Sequence, residues 1–253
     1  MTGHLRIVGL GPGPEKWITP EVSEGLAEAQ DLLGYTAYLD RVPLRAHQQR
    51  HASDNREELS RARHAIELAV AGRQVALVSG GDPGVFAMAA AVFEAIEKGP
   101  AIWRSLEVTV LPGVTAMLAA AARVGAPLGA DFCAINLSDN LKPWALVEKR
   151  LKLAIEAGFV IALYNPASKA RPTQIFDAFA VVREKLPPST PIILARAIGR
   201  PDERVTISTL ADADPALIDM QTLPIIGSAA TRLLKRADGS HWVYSPRRVE
   251  VPA

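Results

Sequence analysis

Runs of strand length, mostly apolar, alternate with stretches of helical period along the chain. Leu5–Leu10, Val75–Ser79 and Leu106–Leu111 each end in glycine or proline, and Asp31–Tyr35 predicts a further strand. Between the first two strands Thr19 is placed to cap a helix whose first residue is Pro20, with Val22, Leu26 and Ala29 at helical spacing. The segment from Arg41 to Asn55 is polar and basic and predicts no strand. Asn55 with Glu58 three residues on forms a capping-box pattern, opening a helix that stops before Gly72. Further helices are predicted over Val85–Ile96 and from Thr115 to about Val124.

The alternation then starts again. Phe132–Leu137 and Phe159–Tyr164 predict strands, and Pro143–Ala157 and Thr173–Leu186 predict helices. Trp144, Val147, Leu151 and Ile155 line one side of the first of these helices. Ile192–Ile198 and Val205–Ser208 flank the turn Gly199-Arg200-Pro201-Asp202 and predict an antiparallel hairpin, and Leu223–Ile226 predicts a short buried strand. The fold class is therefore α/β, with a mostly parallel N-terminal sheet and a mixed C-terminal one. Gly125, Pro127 and Gly129 suggest a division into domains 1–124 and 125–253.

Four turns stand where these strands end: Gly9-Leu10-Gly11-Pro12-Gly13, Gly80-Gly81-Asp82-Pro83-Gly84, Pro112-Gly113-Val114-Thr115-Ala116 and Leu163-Tyr164-Asn165-Pro166. Open α/β sheets bind ligands at the carboxyl ends of their strands, so these turns predict one composite small-molecule cleft. The first is not a dinucleotide fingerprint, because Pro14 stands where a third glycine is needed, and Pro12 and Pro14 have no N–H for a pyrophosphate. In the second, two glycines would let a ligand approach the backbone, and Asp82 would hold a hydroxyl or ammonium, or simply cap the helix expected at Val85. Asn165 and the pair Ser138-Asp139 read equally as turn formers or as ligand groups.

Charge narrows the partners. The 253 residues carry 28 basic and 27 acidic side chains, so no global field draws the chain to nucleic acid or membrane. Twenty of the basic residues are Arg, which suits carboxylate recognition. The single Cys133 lies in an apolar run and excludes an internal disulfide or a multi-cysteine metal site; it reads as a small buried residue. His47, His51, His64 and His241 lack metal-ligand spacing, and no Gly-x-Ser-x-Gly elbow is present. No charged-then-apolar leader opens the chain and no apolar run reaches membrane-spanning length, which points to the cytoplasm.

Taken in order, these motifs resemble the tetrapyrrole methylase superfamily over nearly the whole chain. Ala134-Ile135-Asn136-Leu137-Ser138-Asp139 followed by Pro143-Trp144, then Ala162–Lys169, and Gly199-Arg200 before the second hairpin strand, are similar to its precorrin C(17)-methyltransferase branch. The resemblance implies two α/β domains with a cofactor cleft between them, usually in a homodimer. It implies S-adenosylmethionine as methyl donor, released as S-adenosylhomocysteine, and a tetrapyrrole of cobalamin biosynthesis as substrate. Members of that branch methylate carbon 17 of precorrin-3B and contract the ring to precorrin-4. Another precorrin or cobalt-factor III is the near alternative; a ribosomal RNA methyltransferase or a non-catalytic S-adenosylmethionine binder lies further off.

Carried over by motif, the cofactor contacts fall on Gly80, Gly81, Asp82, Val85, Phe86, Thr115, Ala116, Tyr164, Asn165, Thr206 and Pro224. Pro12, Gly13 and Ser138 fall on the tetrapyrrole side. Phe86 replaces the Tyr expected in many relatives, and Gly227–Thr231 departs from the usual Gly-Asn-Ser pattern. Ring contraction needs a proton acceptor, and Asp139, at the end of a strand, is the side-chain candidate, with a helix cap before Pro143 as its other reading. The acid-fringed substrate calls for cations at the rim, for which Arg50, Arg56, Lys142, Lys169 and Arg171 are nearest the motif loops.

Overall fold

A computed structural model describes residues 3–54, 57–168 and 171–248. It divides into two compact units, Met1–Thr115 and Ala116–Ala253. The boundary falls before the Ala-rich helix Ala116–Val124 rather than after it. That helix packs on strands of the second unit, so it belongs there and not to the first domain, as the glycines after it had suggested.

The first unit contains β1 (His4–Gly9), α1 (Pro20–Glu28), β2 (Asp31–Tyr35), α2 (Thr36–Leu39), β3 (Gln49–Ser53), α3 (Glu58–Val70), β4 (Gln74–Ser79), α4 (Met88–Lys98) and β5 (Glu107–Leu111). Its five strands are all parallel, in the order β3-β2-β4-β1-β5. Side chains alternate across the sheet as the pleat requires. Leu5, Ile7, Leu33, Val75 and Leu77 meet α3 and α4 on one face, while Val8, Leu32, Ala76 and Val78 meet α1 and Leu39 of α2 on the other. Helices on both faces explain the continuous apolar runs.

Thr19 caps α1 as its sequence position predicts: its Oγ1 accepts from the Val22 amide at 3.2 Å, with Pro20 opening the helix. The capping box read at Asn55 falls outside the described residues. Strand β3 runs through the segment read as strandless. It is an edge strand of mostly part-exposed polar residues, made by backbone pairing with β2 and not by apolar alternation. His51 on β3 reaches Asp31 Oδ1 at 2.8 Å, and Arg73 reaches Asp31 Oδ2 at 2.7 Å.

The second unit contains α5 (Ala116–Val124), β6 (Gly125–Ala126), β7 (Phe132–Asn136), α6 (Trp144–Glu156), β8 (Val160–Tyr164), α7 (Gln174–Lys185), β9 (Pro191–Arg196), β10 (Arg204–Thr209), β11 (Thr222–Ile226), β12 (Arg232–Lys235) and β13 (His241–Tyr244). The main sheet has the order β10-β9-β11-β8-β7 and is mixed: β7 and β8 are parallel and every other pair is antiparallel. The predicted hairpin is β9–β10. Val147, Leu151 and Ile155 of α6 join Ile175, Phe179 and Val182 of α7 in one core over this sheet. A small sheet, β12-β13-β6, was not anticipated; the Asp238-Gly239 turn, with Gly239 at φ 84°, is the hairpin signal that marks it.

Candidate functional site

The order of the first sheet decides where a ligand can go. β1 lies between β4 and β5, and the chain leaves β1 toward one edge and returns across it to reach the other. This reversal is a topological switch point, the place where open α/β sheets bind ligands at the carboxyl ends of their strands. The loops at those ends are the glycine turns after Gly9, Ser79 and Leu111.

These loops touch backbone to backbone. Gly11 and Gly81 exchange two hydrogen bonds, N–H to O at 3.1 Å and 3.2 Å. A Cβ on Gly113 would stand 2.3 Å from the Gly81 oxygen and 2.7 Å from that of Gly9; one on Gly9 would stand 2.7 Å from the Gly81 oxygen. Only glycine permits this approach. Asp82 holds the arrangement: Oδ1 accepts from the Gly84 amide at 2.8 Å and Oδ2 from the Gly113 amide at 3.1 Å. It does not cap α4, which begins at Met88 instead of Val85 and has no side-chain cap.

The two glycines of the second loop serve different ends. Gly80 lacks a Cβ because the Tyr38 ring occupies that space, 2.7 Å from where the atom would lie. At Gly81, with φ of 64°, nothing lies closer than 4.0 Å to that position, so the backbone is open. The space that a Cβ would take is filled by Tyr38 at Gly80 and is not filled at Gly81. Val85 and Phe86 follow, and Phe86 is 47% exposed with a left-handed φ of 51°. That conformation is costly for a side chain with a Cβ and gathers at ligand sites. Thr115 is buried at the end of the third loop.

Arg41 was not singled out from sequence, yet it fixes the first loop. Its guanidinium donates to the carbonyls of Leu10, Gly11 and Gly13 at 3.0, 3.0 and 2.8 Å. Pro12 and Gly13 are thereby pinned. No local signal could have found this residue, because its acceptors are main-chain oxygens and any sequence supplies those. Arg50 donates to the Val42 carbonyl, lies 4.0 Å from Asp40 and buries its Nε without a hydrogen-bond partner. Arg56 and Lys169 lie outside the described residues.

In the second unit β7 and β8 end side by side. Asn136 Oδ1 accepts from the Ser138 amide at 2.8 Å and from Asn165 Nδ2 at 3.1 Å, so one side chain ties both strand ends. Asn165 has φ of 50°, which Asn tolerates. Tyr164 Oη accepts from the Met117 amide at 3.1 Å, meeting a first-turn N–H of α5 next to Ala116. Pro224 is buried in β11 and in register with Leu194, as is exposed Thr206 of β10. The β8–β11 pairing covers Ala162 and Ile161 and stops at Pro224, which has no N–H to donate.

Asp139 does not cap α6, whose N-cap is Pro143 without a side-chain bond. Its Oδ2 accepts from Gln174 Nε2 at 3.2 Å, and its Oδ1 lies 3.8 Å from Arg171 Nε. Lys142 Nζ donates to the Ser138 carbonyl at 2.9 Å. Burial and then the nearby Arg150 and Arg171 lower the Lys142 ammonium below its ordinary value, against the pull of Asp139. Burial pushes the Cys133 thiol up, in keeping with a packing residue. Among the described residues no group of three His, Cys, Asp or Glu is placed to hold a metal ion, and no helix is long and apolar enough to cross a membrane.

Residues 4–214 match the family described as Tetrapyrrole (Corrin/Porphyrin) Methylases. The chain is 61% identical over 247 residues to a precorrin-3B C(17)-methyltransferase of Sinorhizobium, covering 98% of this chain and 97% of that protein. A crystal structure of the methyltransferase CobJ superposes with a TM-score of 0.91 at 50% identity, over 96% of this chain and all of that one. The fold is shared more distantly with a uroporphyrin-III C-methyltransferase from Thermus thermophilus solved with S-adenosyl homocysteine, TM-score 0.67 at 19% identity, over 90% of this chain and 98% of that one.

Proposed function

The chain belongs to the tetrapyrrole (corrin/porphyrin) methylases, and on that premise we propose that it methylates carbon 17 of precorrin-3B and contracts the ring to precorrin-4. The observation that carries this reading is the 61% identity to a precorrin-3B C(17)-methyltransferase across nearly the full length of both proteins. A homodimer in the cytoplasm is part of the same proposal.

S-adenosylmethionine supplies an electrophilic sulfonium methyl and leaves as S-adenosylhomocysteine. The first unit's residues fit such a group. Gly81 presents backbone with nothing nearer than 4.0 Å to the place of a Cβ at the switch point, and Phe86, five residues on, is exposed with a left-handed φ. Gly80, Gly81, Asp82, Val85, Phe86 and Thr115 are its proposed contacts there; Ala116, Tyr164, Asn165, Thr206 and Pro224 are those proposed on the second unit. Pro12 and Gly13, fixed by Arg41, are proposed to bear on the macrocycle.

Methyl transfer to a carbon nucleophile asks chiefly for alignment and dryness, so positioning is the main catalytic contribution. Rigid strand-end backbone locked by Asp82 and Arg41 supplies it without side-chain entropy to lose. In contraction the proton of the carbon-20 hydroxyl is removed, one of carbon 20's two ring bonds migrates so that its ring neighbours join directly, and carbon 20 becomes the carbonyl of an acetyl group that stays attached to the macrocycle.

Incubating the purified chain with precorrin-3B and methyl-labelled cofactor tests the proposal. A product one methyl heavier, with the chromophore of a contracted ring, is expected. Parallel reactions with cobalt-factor III separate the metal-free from the cobalt-loaded substrate. Tight cofactor binding without turnover of any tetrapyrrole would instead make this chain a sensor.

A further inference from the structure

The ends of β7 and β8 carry more positive charge than they neutralise. Arg171 is only 12% exposed, yet its buried Nη1 has no hydrogen-bond partner among the described residues. Its Nε faces Asp139 at 3.8 Å, too far for a hydrogen bond. Gln174, whose amide nitrogen holds Asp139, buries its Oε1 unpartnered as well. Lys142 stands near, where the charges of Arg150 and Arg171 act on it against that of Asp139. A buried guanidinium nitrogen left without an acceptor costs free energy that an incoming anion would return.

We propose that Arg171 and Lys142 form a seat for one side-chain carboxylate of the tetrapyrrole, with Asp139 and Gln174 as positioning residues that aim the guanidinium. This rests on the reading of the chain as a tetrapyrrole methylase. A carboxylate suits the site because its two oxygens match the planar fork of Arg and leave a lone pair for an ammonium. Asp139 is assigned here to orient Arg171 and not to take the proton in ring contraction. Its Oδ2 already accepts from Gln174, and any proton transfer would compete with that bond and with the neighbouring cation.

The test uses the full chain and reads binding apart from turnover. Optical titration with the tetrapyrrole gives its dissociation constant, calorimetry gives that of S-adenosylmethionine, and steady-state kinetics gives KM and kcat. Arg171→Ala is expected to weaken tetrapyrrole binding about ten- to a hundredfold, the loss of a charge-assisted pair, with cofactor affinity unchanged. Arg171→Lys keeps the charge without the fork and recovers part of it, and it serves in place of Arg171→Ala if that variant does not fold. Lys142→Ala weakens the same constant. Asp139→Asn raises KM with kcat within about threefold, where a proton acceptor would lose kcat and shift its pH profile. A tetrapyrrole with its carboxylates amidated binds the wild type more weakly but discriminates little between wild type and Arg171→Ala. If wild type turns over the tetrapyrrole and both Arg171 variants bind it as tightly, the seat is refuted while the function stands. If wild type neither binds nor methylates any tetrapyrrole, both fail together.

Discussion

Asp82 Oδ2 accepts the backbone N–H of Gly113 at 3.1 Å, joining the loop after β4 to the loop after β5 across the strand between them. Its other oxygen holds the Gly84 amide. A single carboxylate therefore ties together two loops whose strands each pair with β1 but not with one another. Asp82→Ala strands both amides, at a cost of about 1–3 kcal/mol, and lets the loops part. A lowered melting temperature and weaker S-adenosylmethionine binding by calorimetry are the expected results. Asp82→Asn keeps one acceptor oxygen and should fall between. Unchanged values in both variants would show that the loops hold themselves.

Gly113 and Gly81 look alike in sequence and should respond oppositely. Alanine at Gly113 drives a Cβ to 2.3 Å from the Gly81 oxygen, and both contacting groups are backbone, so neither can swing away. Gly113→Ala is expected to express poorly or to melt several degrees lower. Gly81→Ala meets nothing nearer than Thr115 Cα and the Val114 oxygen at 4.0 Å, ordinary contact, and carries only the penalty of a left-handed φ, about 1–2 kcal/mol. It should fold, yet place a methyl where the cofactor is proposed to rest. Retained folding with a raised cofactor KM is the expected pattern, read by circular dichroism and initial rates.

Much of this was legible in the chain. The strand ends were marked by glycine and proline: backbone of one loop crosses that of another there, and each loop shows that need in its own residues. Continuous apolar runs marked β1 and β4 as strands covered on both faces, and Thr19 announced the start of α1. What was not legible depended on partners distant in sequence. Strand β3 is held by main-chain pairing with β2, so its side chains carry no apolar code. Gly80 is a glycine on account of Tyr38, 42 positions earlier, and Asp139 answers to Gln174 instead of to its own helix. Helix α4 starts at Met88, after the left-handed Phe86, while Asp82, the expected cap, binds Gly84 and Gly113.

Asp31 gives the first unit an acid-sensitive tie. Its side chain is 1% exposed. Burial alone would raise its carboxyl, but hydrogen bonds from Arg73 and His51 outweigh that and hold it below the ordinary carboxylate value. A depressed carboxyl stabilises the fold at pH above its unfolded value and loses that contribution as pH falls through the folded one. Melting temperature should therefore be steady near neutrality and drop below about pH 4. Asp31→Asn should start lower at neutral pH and lose less on acidification. Parallel acid profiles for the two proteins would remove Asp31 from the account.

Arg41 offers the sharpest separation of charge from geometry. Its fork reaches three carbonyls, of Leu10, Gly11 and Gly13, that converge within 2.8–3.0 Å of two nitrogens. Lysine presents one compact head on a flexible stem and cannot span three fixed acceptors at once. Arg41→Lys should then behave more like Arg41→Ala than like wild type. The readout is hydrogen exchange at the Gly13 amide, since Pro12 and Pro14 have none and the Gly11 amide is held by the Gly81 oxygen: both variants should exchange faster at Gly13, with Gly11 and β1 protection intact. Because Pro12 and Gly13 are proposed to bear on the macrocycle, tetrapyrrole KM should rise about five- to tenfold, roughly one charge-assisted hydrogen bond. Cofactor affinity should change little, because the Gly81 backbone keeps its own ties to Gly11. Wild-type exchange in Arg41→Ala would mean that the two prolines stiffen the loop unaided, and the guanidinium would then be a bystander.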